Sequence, residues 1–307
     1  LYCYEEYGGY YNNYMFKDPC WNITPIVKKW YSGENYGLTM APAAGMAFTG
    51  TAMFRSSTYS DDAKRPRLCI TYRDMKGLED YWSYSSQSAG FAGTGSVNNA
   101  TGNLVFTIPT LTSTDALIPF TPALVYNSAL ASINYAFSNA QTAFSSTYMP
   151  LGFKLNINET LIKKSYTDET GTVKYLFVWA DSDGTEHYFL QTSTANTYED
   201  EDGLLLTLVE DTSVCTITDS GKNVKTFQKC SLHPVGTLSA WYLTEITDKN
   251  GNKLVFEFDS STRPITVKLD PNGSSPAITQ LQIAYNSNNR PYMIWNPTSG
   301  EAVVLRY

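Results

Sequence analysis

Apolar and polar residues alternate with a period of two along most of this chain, and short turn signals separate the alternating stretches. Leu104–Ile108 is one such stretch, and Tyr175–Trp179 and Glu186–Leu190 are two more, on either side of Asp181–Gly184. A period of two indicates a half-buried β-strand, and an Asp- and Gly-containing segment between two such strands indicates a hairpin. The pattern therefore predicts an all-β fold of antiparallel hairpins, with one short helical turn at Pro25–Trp30.

The last third of the chain repeats itself. The segment Phe258–Pro264 returns as Tyr285–Pro291, 27 positions later. Similar turns lie between the strands, at Asp248–Gly251, Asp270–Gly273 and Asn296–Gly300, and the strands that follow them end on Phe258, Tyr285 and Tyr307. One hairpin cannot bury its apolar face alone, so we expect the units to stack edge to edge into one curved sheet. We expect the open edge of that sheet to pair with missing parts of the same parent protein or with other copies.

Two segments differ in composition from the alternating stretches. Ser83–Asn103 and Ser128–Thr147 are rich in Ser, Gly, Asn and Ala, which predicts loop or linker structure. A first domain boundary is expected near Met75–Gly77, just after the predicted strand Leu68–Tyr72.

The composition supports a folded, sheet-rich chain. Hydrophobic residues make up 42% of the 307 residues and aromatic residues 14%, with 23 Tyr and 14 Phe. This is enough apolar surface for a sizeable core, and aromatic side chains suit a pleated, half-buried surface.

The charge balance excludes two classes of partner. The formal net charge is −7, and the chain contains no basic run that would neutralise a phosphate backbone, so we expect no nucleic acid partner. No apolar stretch approaches the ~20 residues that span a bilayer, so we expect no membrane span. The chain begins at Leu1 without a leader-like segment and closes on a strand-like pattern, so we expect it to be a piece of a larger protein.

The cysteine and histidine content argues against a zinc site and against a disulfide scaffold. The five cysteines form no C-x-x-C pair, and the chain has two histidines. Buried free thiols are one reading of the cysteines, and one bridge among Cys3, Cys20 and Cys69 is the other.

Residues in the C-terminal repeats resemble the Rhs (YD-repeat) family. The family unit consists of a strand, a D-x-x-G turn and a strand that ends in Y-D, as in Leu243–Asp248 followed by Phe256–Asp259. Further segments are similar to the region that precedes the repeats in bacterial members: Gly77–Trp82, Gly93–Asn98, Gly102–Phe106, Val125–Ser128 and Asp183–Phe189.

Residues 21–73 resemble the C-terminal half of a DNRLRE domain, although the motif that names that domain is not in this chain. The similar segments are Ile23–Tyr31, Tyr36–Leu38 and Arg65–Tyr72. The order of a DNRLRE domain followed by Rhs repeats is typical of large secreted or surface proteins of Gram-positive bacteria.

These resemblances imply an architecture in three parts. Residues 1–76 would be the C-terminal part of a β-sandwich related to carbohydrate-binding modules, residues 77–125 a connector and the start of the Rhs region, and residues 126–307 Rhs-type β-hairpin repeats. In the Rhs family the sheet spirals into a hollow shell that often encloses a C-terminal toxin. In such members, an aspartate-dependent self-cleavage frees the cargo.

Clustered carboxylates at Asp181, Asp183 and Glu186 are a candidate calcium site, because carboxylate oxygens suit hard cations. A hairpin turn explains the same residues without a metal. Glu199–Asp202 is predicted to be a solvated loop whose charges repel each other, with a cation site as the alternative.

Catalytic motifs are missing from the sequence. It contains neither a G-x-S-x-G elbow nor an H-E-x-x-H helix. We expect His187 to lie in a strand and His233 in a loop, each with its hydrogen bonds satisfied. We therefore predict that the chain is not an enzyme and has no cofactor apart from the calcium considered above.

Aromatic residues near the N-terminus are a candidate ligand-binding surface: Tyr4, Tyr7, Tyr10, Tyr11 and Tyr14. Exposed aromatic rings stack on the apolar faces of sugars, although the same rings can pack against a missing half of the sandwich. Trp179, Trp241 and Trp295 are predicted to be core residues.

Two functional hypotheses follow. The first is a structural fragment of a secreted or cell-wall-associated bacterial protein, building a β-shell or stalk that encloses or presents a C-terminal effector or toxin. The alternative is a carbohydrate-binding adhesin that acts through the N-terminal aromatic residues and has a glycan as its partner.

Overall fold

The computed structural model describes residues 56–62, 65–66, 76–112, 117–131, 148–167, 172–235, 238–272 and 276–307. The chain divides into two units, Leu1–Tyr72 and Arg73–Tyr307. In the first unit, Arg65 donates a hydrogen bond to the carbonyl of Tyr59 (2.6 Å) and forms an ion pair with Asp62. Four predictions lie outside the described residues: the partial sandwich, the helical turn, the possible disulfide and the N-terminal tyrosines.

The described residues of the second unit form strands joined by turns, which confirms the predicted all-β fold. Its first sheet contains β1 (Tyr84–Ser88), β2 (Thr94–Asn98), β3 (Leu104–Pro109), β4 (Ala123–Asn127) and β5 (Phe153–Leu155). These five strands pair in chain order, all antiparallel. One-turn 3-10 segments lie at Gly90–Ala92 and Ser128–Ala131.

The second sheet has thirteen strands, all paired antiparallel with their neighbours. They are β6 (Thr160–Thr167), β7 (Val173–Ala180), β8 (Glu186–Gln191), β9 (Thr197–Asp200), β10 (Thr207–Glu210), β11 (Val214–Thr218), β12 (Val224–Val235), β13 (Leu238–Thr247), β14 (Lys253–Phe258), β15 (Pro264–Asp270), β16 (Ile278–Tyr285), β17 (Pro291–Trp295) and β18 (Ala302–Val304). No helix in the described part of the chain is long and apolar enough to cross a membrane.

Strand β13 closes the first eight strands of this sheet into a ring. One edge of β13 pairs with β12. The other edge pairs first with β6, through Ala240–Tyr242, and then with β14, through Glu245–Thr247. Strands β6 to β13 therefore form a closed cycle, and β14 to β18 continue from it as successive hairpins.

Large side chains fill the interior of the ring. The fully buried ones include Leu161, Phe177, Phe189, Tyr198, Leu208, Phe227 and Leu243, with Trp241 at 2% exposure. The Phe177 ring contacts the rings of Tyr198 and Trp241 at centroid distances of 4.8 and 5.3 Å. Trp179 and Trp241 are buried, as predicted, and Trp295 is half-buried. Cys215 and Cys230 are buried free thiols.

One five-residue turn recurs at four hairpin corners: Asp219–Asn223, Asp248–Asn252, Asp259–Arg263 and Asn286–Arg290. In each, the side-chain oxygen of the first residue accepts a hydrogen bond from the main-chain N–H of the fifth (2.8–3.0 Å). The fourth residue has a positive φ, between 60° and 85°. Asp and Asn suit the first position because their side chains bond to main-chain N–H groups further along the turn.

Consecutive C-terminal hairpins also make a repeated side-chain contact. The hydroxyl of Tyr285 donates a 2.7 Å hydrogen bond to the carbonyl of Pro264, and the Arg263 guanidinium lies 4.5 Å from the centroid of the Tyr285 ring. One unit later the same pair of contacts joins Tyr307 to Pro291 (2.9 Å) and to Arg290 (5.3 Å). The predicted edge-to-edge stacking of hairpin repeats is confirmed.

The prediction of a loop at Ser83–Asn103 is wrong, because this segment forms β1, β2 and the hairpin between them. In β2 the residues Ser96 and Asn98 are buried while Val97 is exposed. Small polar residues therefore form the more buried face of a regular strand that pairs with the apolar strand β3. Composition indicated a loop here, but pairing with β3 decided the structure.

Candidate functional site

A cluster of charged side chains lies at one end of the ring, where β7 and β9 end and β6 and β8 begin. Its centre is the β7–β8 turn, residues 181–185. Oδ1 of Asp181 accepts hydrogen bonds from the main-chain N–H groups of Asp183, Gly184 and Thr185, at 2.9–3.1 Å. Gly184 has a φ of 99°, and a Cβ there would lie 2.9 Å from Leu130. The Asp-x-Asp-Gly sequence thus determines the turn locally.

His187 is a buried charged group of the cluster, with 3% of its side chain exposed. Its ring packs on Trp179 at a centroid distance of 4.7 Å. Nε2 lies 3.3 Å from Oε1 of Glu79 and 3.6 Å from Oδ2 of Asp181, and Nδ1 lies 3.6 Å from Oδ2 of Asp202. Burial alone would lower the pKa of His187, but these three carboxylates outweigh burial and raise that pKa to about 10. His187 is therefore an imidazolium at neutral pH.

The segment Lys76–Glu79, which we call the strap, lies across the β7–β8 turn. The N–H of Leu78 donates to Oγ1 of Thr185 (3.1 Å) and to Oδ2 of Asp183 (3.3 Å). Gly77 is required at this crossing, because a Cβ there would lie 1.9 Å from Oγ1 of Thr185. The close approach explains why a residue without a side chain precedes Leu78.

Two side chains of the first sheet hold the strap in place. Nδ2 of Asn127 donates to the carbonyls of Asp183 (3.1 Å) and Lys76 (3.4 Å), and so joins the strap to the turn. The hydroxyl of Tyr84 accepts from the N–H of Glu79 (2.9 Å) and donates to the carbonyl of Gly77 (3.0 Å). The strap is thus fixed from both sides by groups with matched hydrogen-bonding capacity.

Lys154 extends from β5 into the same cluster and is fully buried. Its ammonium group donates a hydrogen bond to the main-chain carbonyl of Asp181. Burial lowers the pKa of Lys154 to about 8, although the negative charges of Asp181, Glu159 and Asp183 oppose the shift. Burial and the neighbouring charge of Asp181 raise the pKa of Asp183 to about 7. Two groups of this cluster therefore titrate near neutral pH.

A second buried ion pair lies beside the first cluster. Glu159 is 5% exposed, and its carboxylate accepts hydrogen bonds from Nε1 of Trp179 (2.9 Å) and from Nζ of Lys225 (2.7 and 2.8 Å). The Lys225 ammonium also lies 4.6 Å from the centroid of the Trp179 ring. Glu159 borders a cleft of about 170 Å³ that Phe120, Ser182 and Phe256 also line. Because donors of the protein itself occupy the carboxylate, Glu159 acts here as the partner of Lys225.

The structure places the three predicted calcium ligands in or beside the turn, with protein donors on each. Oδ1 of Asp183 accepts from Oγ1 of Thr185 (2.7 Å), in addition to the contacts described above. Oε2 of Glu186 accepts from the hydroxyl of Tyr188 (3.0 Å) and lies 3.5 Å from Nζ of Lys76. Within the described ranges, no group of three or more His, Cys, Asp or Glu residues is arranged to hold a metal ion. Calcium binding by Asp181, Asp183 and Glu186 stays a prediction.

The predicted solvated loop Glu199–Asp202 is only partly correct. Glu199 and Asp200 belong to β9, and the Asp200 carboxylate accepts the N–H groups of Leu204 and Leu206 (both 2.7 Å). Asp202 faces His187. Two of the four carboxylates are therefore paired inside the protein, because the turn after β9 folds back over the end of the ring.

Sequence reasoning missed four members of the two clusters: Glu79, Lys154, Glu159 and Lys225. Each is a single charged residue whose partners lie far away in the chain, so no local spacing marks it. Lys154 alone has a local signal, because it lies between two apolar residues in a three-residue strand that is otherwise apolar. The tyrosines proposed to bind glycans lie outside the described residues, and that hypothesis stays a prediction.

Comparisons with known proteins gave matches among solved structures only. No protein-family model matches the chain, and no curated protein does. A crystal structure of TcdB2-TccC3 without its hypervariable C-terminal region is similar over 74% of this chain and 12% of that one, at 12% identity and a TM-score of 0.36. A structure of the Photorhabdus luminescens Tc holotoxin pore is similar over 74% of this chain and 12% of that one, at 11% identity and a TM-score of 0.28. A crystal structure of TcdB2-TccC3 is similar over 72% of this chain and 12% of that one, at 10% identity and a TM-score of 0.29.

Proposed function

We propose that this chain is a non-enzymatic structural segment of a large secreted or cell-surface protein. In that protein it forms part of the wall of a β-shell or stalk that encloses or presents a C-terminal effector or toxin. The observation that carries the proposal is the contact repeated between consecutive hairpins, from Tyr285 to Pro264 and from Tyr307 to Pro291. A repeated contact allows each hairpin to pack on the previous one in the same geometry, so further hairpins of the same kind can extend the sheet.

The free edge of β18 is suited to further growth. Among the described strands, β18 pairs with β17 alone. The N–H of Leu305 donates to the carbonyl of Tyr292 (2.8 Å). This bond shows which residues of the strand direct their N–H groups toward β17. Because alternate residues of an edge strand point their N–H groups in opposite directions, those of Ala302 and Val304 face outward. An additional hairpin would bond to these two groups.

Two features support a non-enzymatic role. The interior of the ring is occupied by large apolar side chains such as Phe177 and Phe227, which leaves its axis filled. The buried charges at the end of the ring, such as Glu159 and Lys225, bond to each other and to the main chain. A catalytic group would instead need a free polar atom that faces a substrate. These charges therefore serve as internal supports of the wall in our proposal.

The proposal is tested by adding one more unit to the chain. A second copy of Asn286–Tyr307 is appended directly after Tyr307, where its Asn-Ser-Asn-Asn-Arg-Pro segment follows an aromatic residue as it does in the native repeat. If the wall grows by addition, the amides of Ala302 and Val304 exchange with deuterium at least about tenfold more slowly in the extended chain. The control carries the same 22 appended residues in scrambled order. Equal exchange rates in both extended chains would contradict the proposal.

A further inference from the structure

The first sheet also has a free edge, and it lies along β1. The five residues of β1 pair with β2 from Tyr84 opposite Asn98 to Ser88 opposite Thr94. Hydrogen bonds to the carbonyl of Ser83 and from the N–H of Ala89 continue this ladder at both ends. Residues 85 and 87 therefore bond to β2, and the main-chain groups of residues 84, 86 and 88 face away from it. No other described strand pairs with that edge.

This edge has none of the features that usually prevent edge-to-edge pairing. Natural edge strands carry charged residues, Pro or a bulge. The chain has no charged residue between Ser83 and Thr114, although 17% of its residues are charged overall. The β1–β2 pairing has no bulge, and β1 contains no Pro. Four of the five β1 side chains are exposed, all of them Ser or Gln. The edge is therefore neutral, regular and accessible.

Exposed aromatic residues lie beyond each end of β1, at equal sequence separations from its central residue. Phe91 lies five residues after Ser86 and is completely exposed, whereas Tyr81 lies five residues before it and is 57% exposed. The hairpin end that carries Phe91 approaches β3 closely, because Gly93 has a φ of 113° and a Cβ there would lie 2.1 Å from the carbonyl oxygen of Thr107. Holding a phenyl ring entirely in water is unfavourable unless another surface covers it.

We infer that β1 pairs with β1 of a second copy of this chain, in antiparallel orientation about a two-fold axis at Ser86. The two Ser86 residues then exchange both main-chain hydrogen bonds, and Tyr84 of each copy lies opposite Ser88 of the other. The two five-stranded sheets become one continuous sheet of ten strands. This orientation brings Phe91 of one copy to the end of the paired strands where Tyr81 of the other copy lies, because the antiparallel pairing about Ser86 puts the residues after β1 of one copy beside those before β1 of the other.

The charge distribution favours a second copy over a different occupant. A net charge of −7 makes two copies repel each other through their charged faces, whereas β1 carries no charge. Neutral hydroxyl and amide side chains then lie opposite their own equivalents without repulsion across the axis. Self-pairing therefore satisfies the outward main-chain groups and covers both aromatic rings at once.

Sedimentation equilibrium of the full chain over a range of concentrations tests the inference. We expect a reversible dimer. Ser86→Pro removes the outward N–H on the axis but keeps the bonds of residues 85 and 87 to β2, so it should weaken the dimer at least tenfold. Ser86→Ala keeps that N–H and is the matched control, with an unchanged dissociation constant. Phe91→Ala should raise the dissociation constant about tenfold, because it removes the aromatic contact at both ends.

Further measurements distinguish loss of the β1 contact from misfolding of a variant and from association through the edge of β18. Ser86→Lys places two like charges on the axis while it preserves the main chain, so dimerisation should be lost at low salt. The amides of Tyr84, Ser86 and Ser88 should exchange more slowly as the protein concentration rises. A wild-type chain that stays monomeric at high concentration would overturn the inference, as would a dimer that Ser86→Pro and Ser86→Lys leave unchanged. In the second case, loss of the dimer in Val304→Pro would assign association to β18 instead.

Discussion

The hydroxyl of Tyr285 donates a 2.7 Å hydrogen bond to the carbonyl of Pro264, across the interface between two successive hairpins. Burial raises the pKa of Tyr285 far above its ordinary value, so the hydroxyl keeps its proton at all physiological pH values. Tyr148 packs edge-on against the same ring at a centroid distance of 5.9 Å. This tyrosine therefore supplies both an apolar contact and a donor at the junction of the repeats.

We expect Tyr285→Phe to lower the free energy of unfolding by about 1–2 kcal/mol, because the Pro264 carbonyl loses its donor while the ring contacts remain. The measurement is equilibrium unfolding in urea. Tyr292→Phe is the control, since that side chain is 42% exposed and its change should be close to zero. Equal effects of the two substitutions would show that the hydroxyl of Tyr285 does not stabilise the junction.

His187 is expected to give the folded state a dependence on alkaline pH. Its folded-state pKa of about 10 lies above the ordinary value of 6.5, so its contribution to stability is fully present below pH 6.5 and is lost as the pH rises towards 10. We expect His187→Gln to cost about 3–5 kcal/mol at pH 6, because it leaves buried carboxylates without their cation. The difference from the wild type should shrink at pH 9.5.

Guanidinium unfolding of both proteins at the two pH values measures this difference. His233→Gln is the matched control and also assigns the two histidine resonances in the NMR spectrum. The His187 imidazole should remain charged through pH 8. A His187 resonance that titrates near pH 6.5, or a cost of His187→Gln that is the same at both pH values, would contradict the assigned environment.

The pKa of Asp183 is raised in the folded state, as that of His187 is, but its effect on stability falls in a lower pH range. Burial and the charge of Asp181 raise its pKa to about 7, so the folded state binds a proton more tightly than the unfolded chain does. Stability from this group is therefore greatest at low pH and falls as the pH rises through 7. We expect the stability of Asp183→Asn relative to the wild type to increase by about 2 kcal/mol between pH 5 and pH 8.

Denaturant titrations at these two pH values test the sign. Asp219→Asn is the comparison, because hydrogen bonds from Asn223 and Gly221 outweigh burial and lower the pKa of Asp219. Its relative stability should not increase from pH 5 to pH 8. A parallel response of the two variants would mean that burial does not control Asp183.

The repeated five-residue turn is expected to favour Gly at its fourth position. Lys222 occupies that position with a φ of 69° and an exposed side chain. We expect Lys222→Gly to raise the stability by ~0.5 kcal/mol, because relief of the left-handed backbone exceeds the entropy that Gly adds to the unfolded chain. Lys222→Ala, which removes the side chain without changing the backbone preference, should bring no gain in the thermal unfolding midpoint.

Gly251 provides the reverse test in an equivalent turn. Its φ is 85°, and a Cβ there would lie 2.6 Å from Nδ2 of Asn272. We expect Gly251→Ala to lower the stability by about 1–2 kcal/mol, for both the backbone conformation and the contact. If Gly251→Ala unfolds at the wild-type temperature, the turn does not require the left-handed conformation.

Features that depend on neighbouring residues could be predicted from the amino-acid sequence. Alternation along β7 and β8 specifies strands because their period matches the pleat, and Asp181–Gly184 specifies the turn because the Asp side chain bonds to the next N–H groups. The repeat of Phe258–Pro264 at Tyr285–Pro291 predicts stacked hairpins, because both copies have the same local pattern of strand and turn residues. These interactions span a few residues, so they can be inferred without knowledge of the fold.

The contacts between segments that are distant in the chain could not be predicted and follow from the packing of the folded protein. The pairing of Trp241 with Leu161 closes the ring, and the sequence of neither strand indicates which strand it pairs with. His187 is a buried cation because Glu79 and Asp202, which are distant in the chain, lie beside it in the folded protein. Main-chain hydrogen bonds and charge–charge contacts are alike in every strand and loop, so their partners follow from the packing of the whole sheet rather than from local sequence.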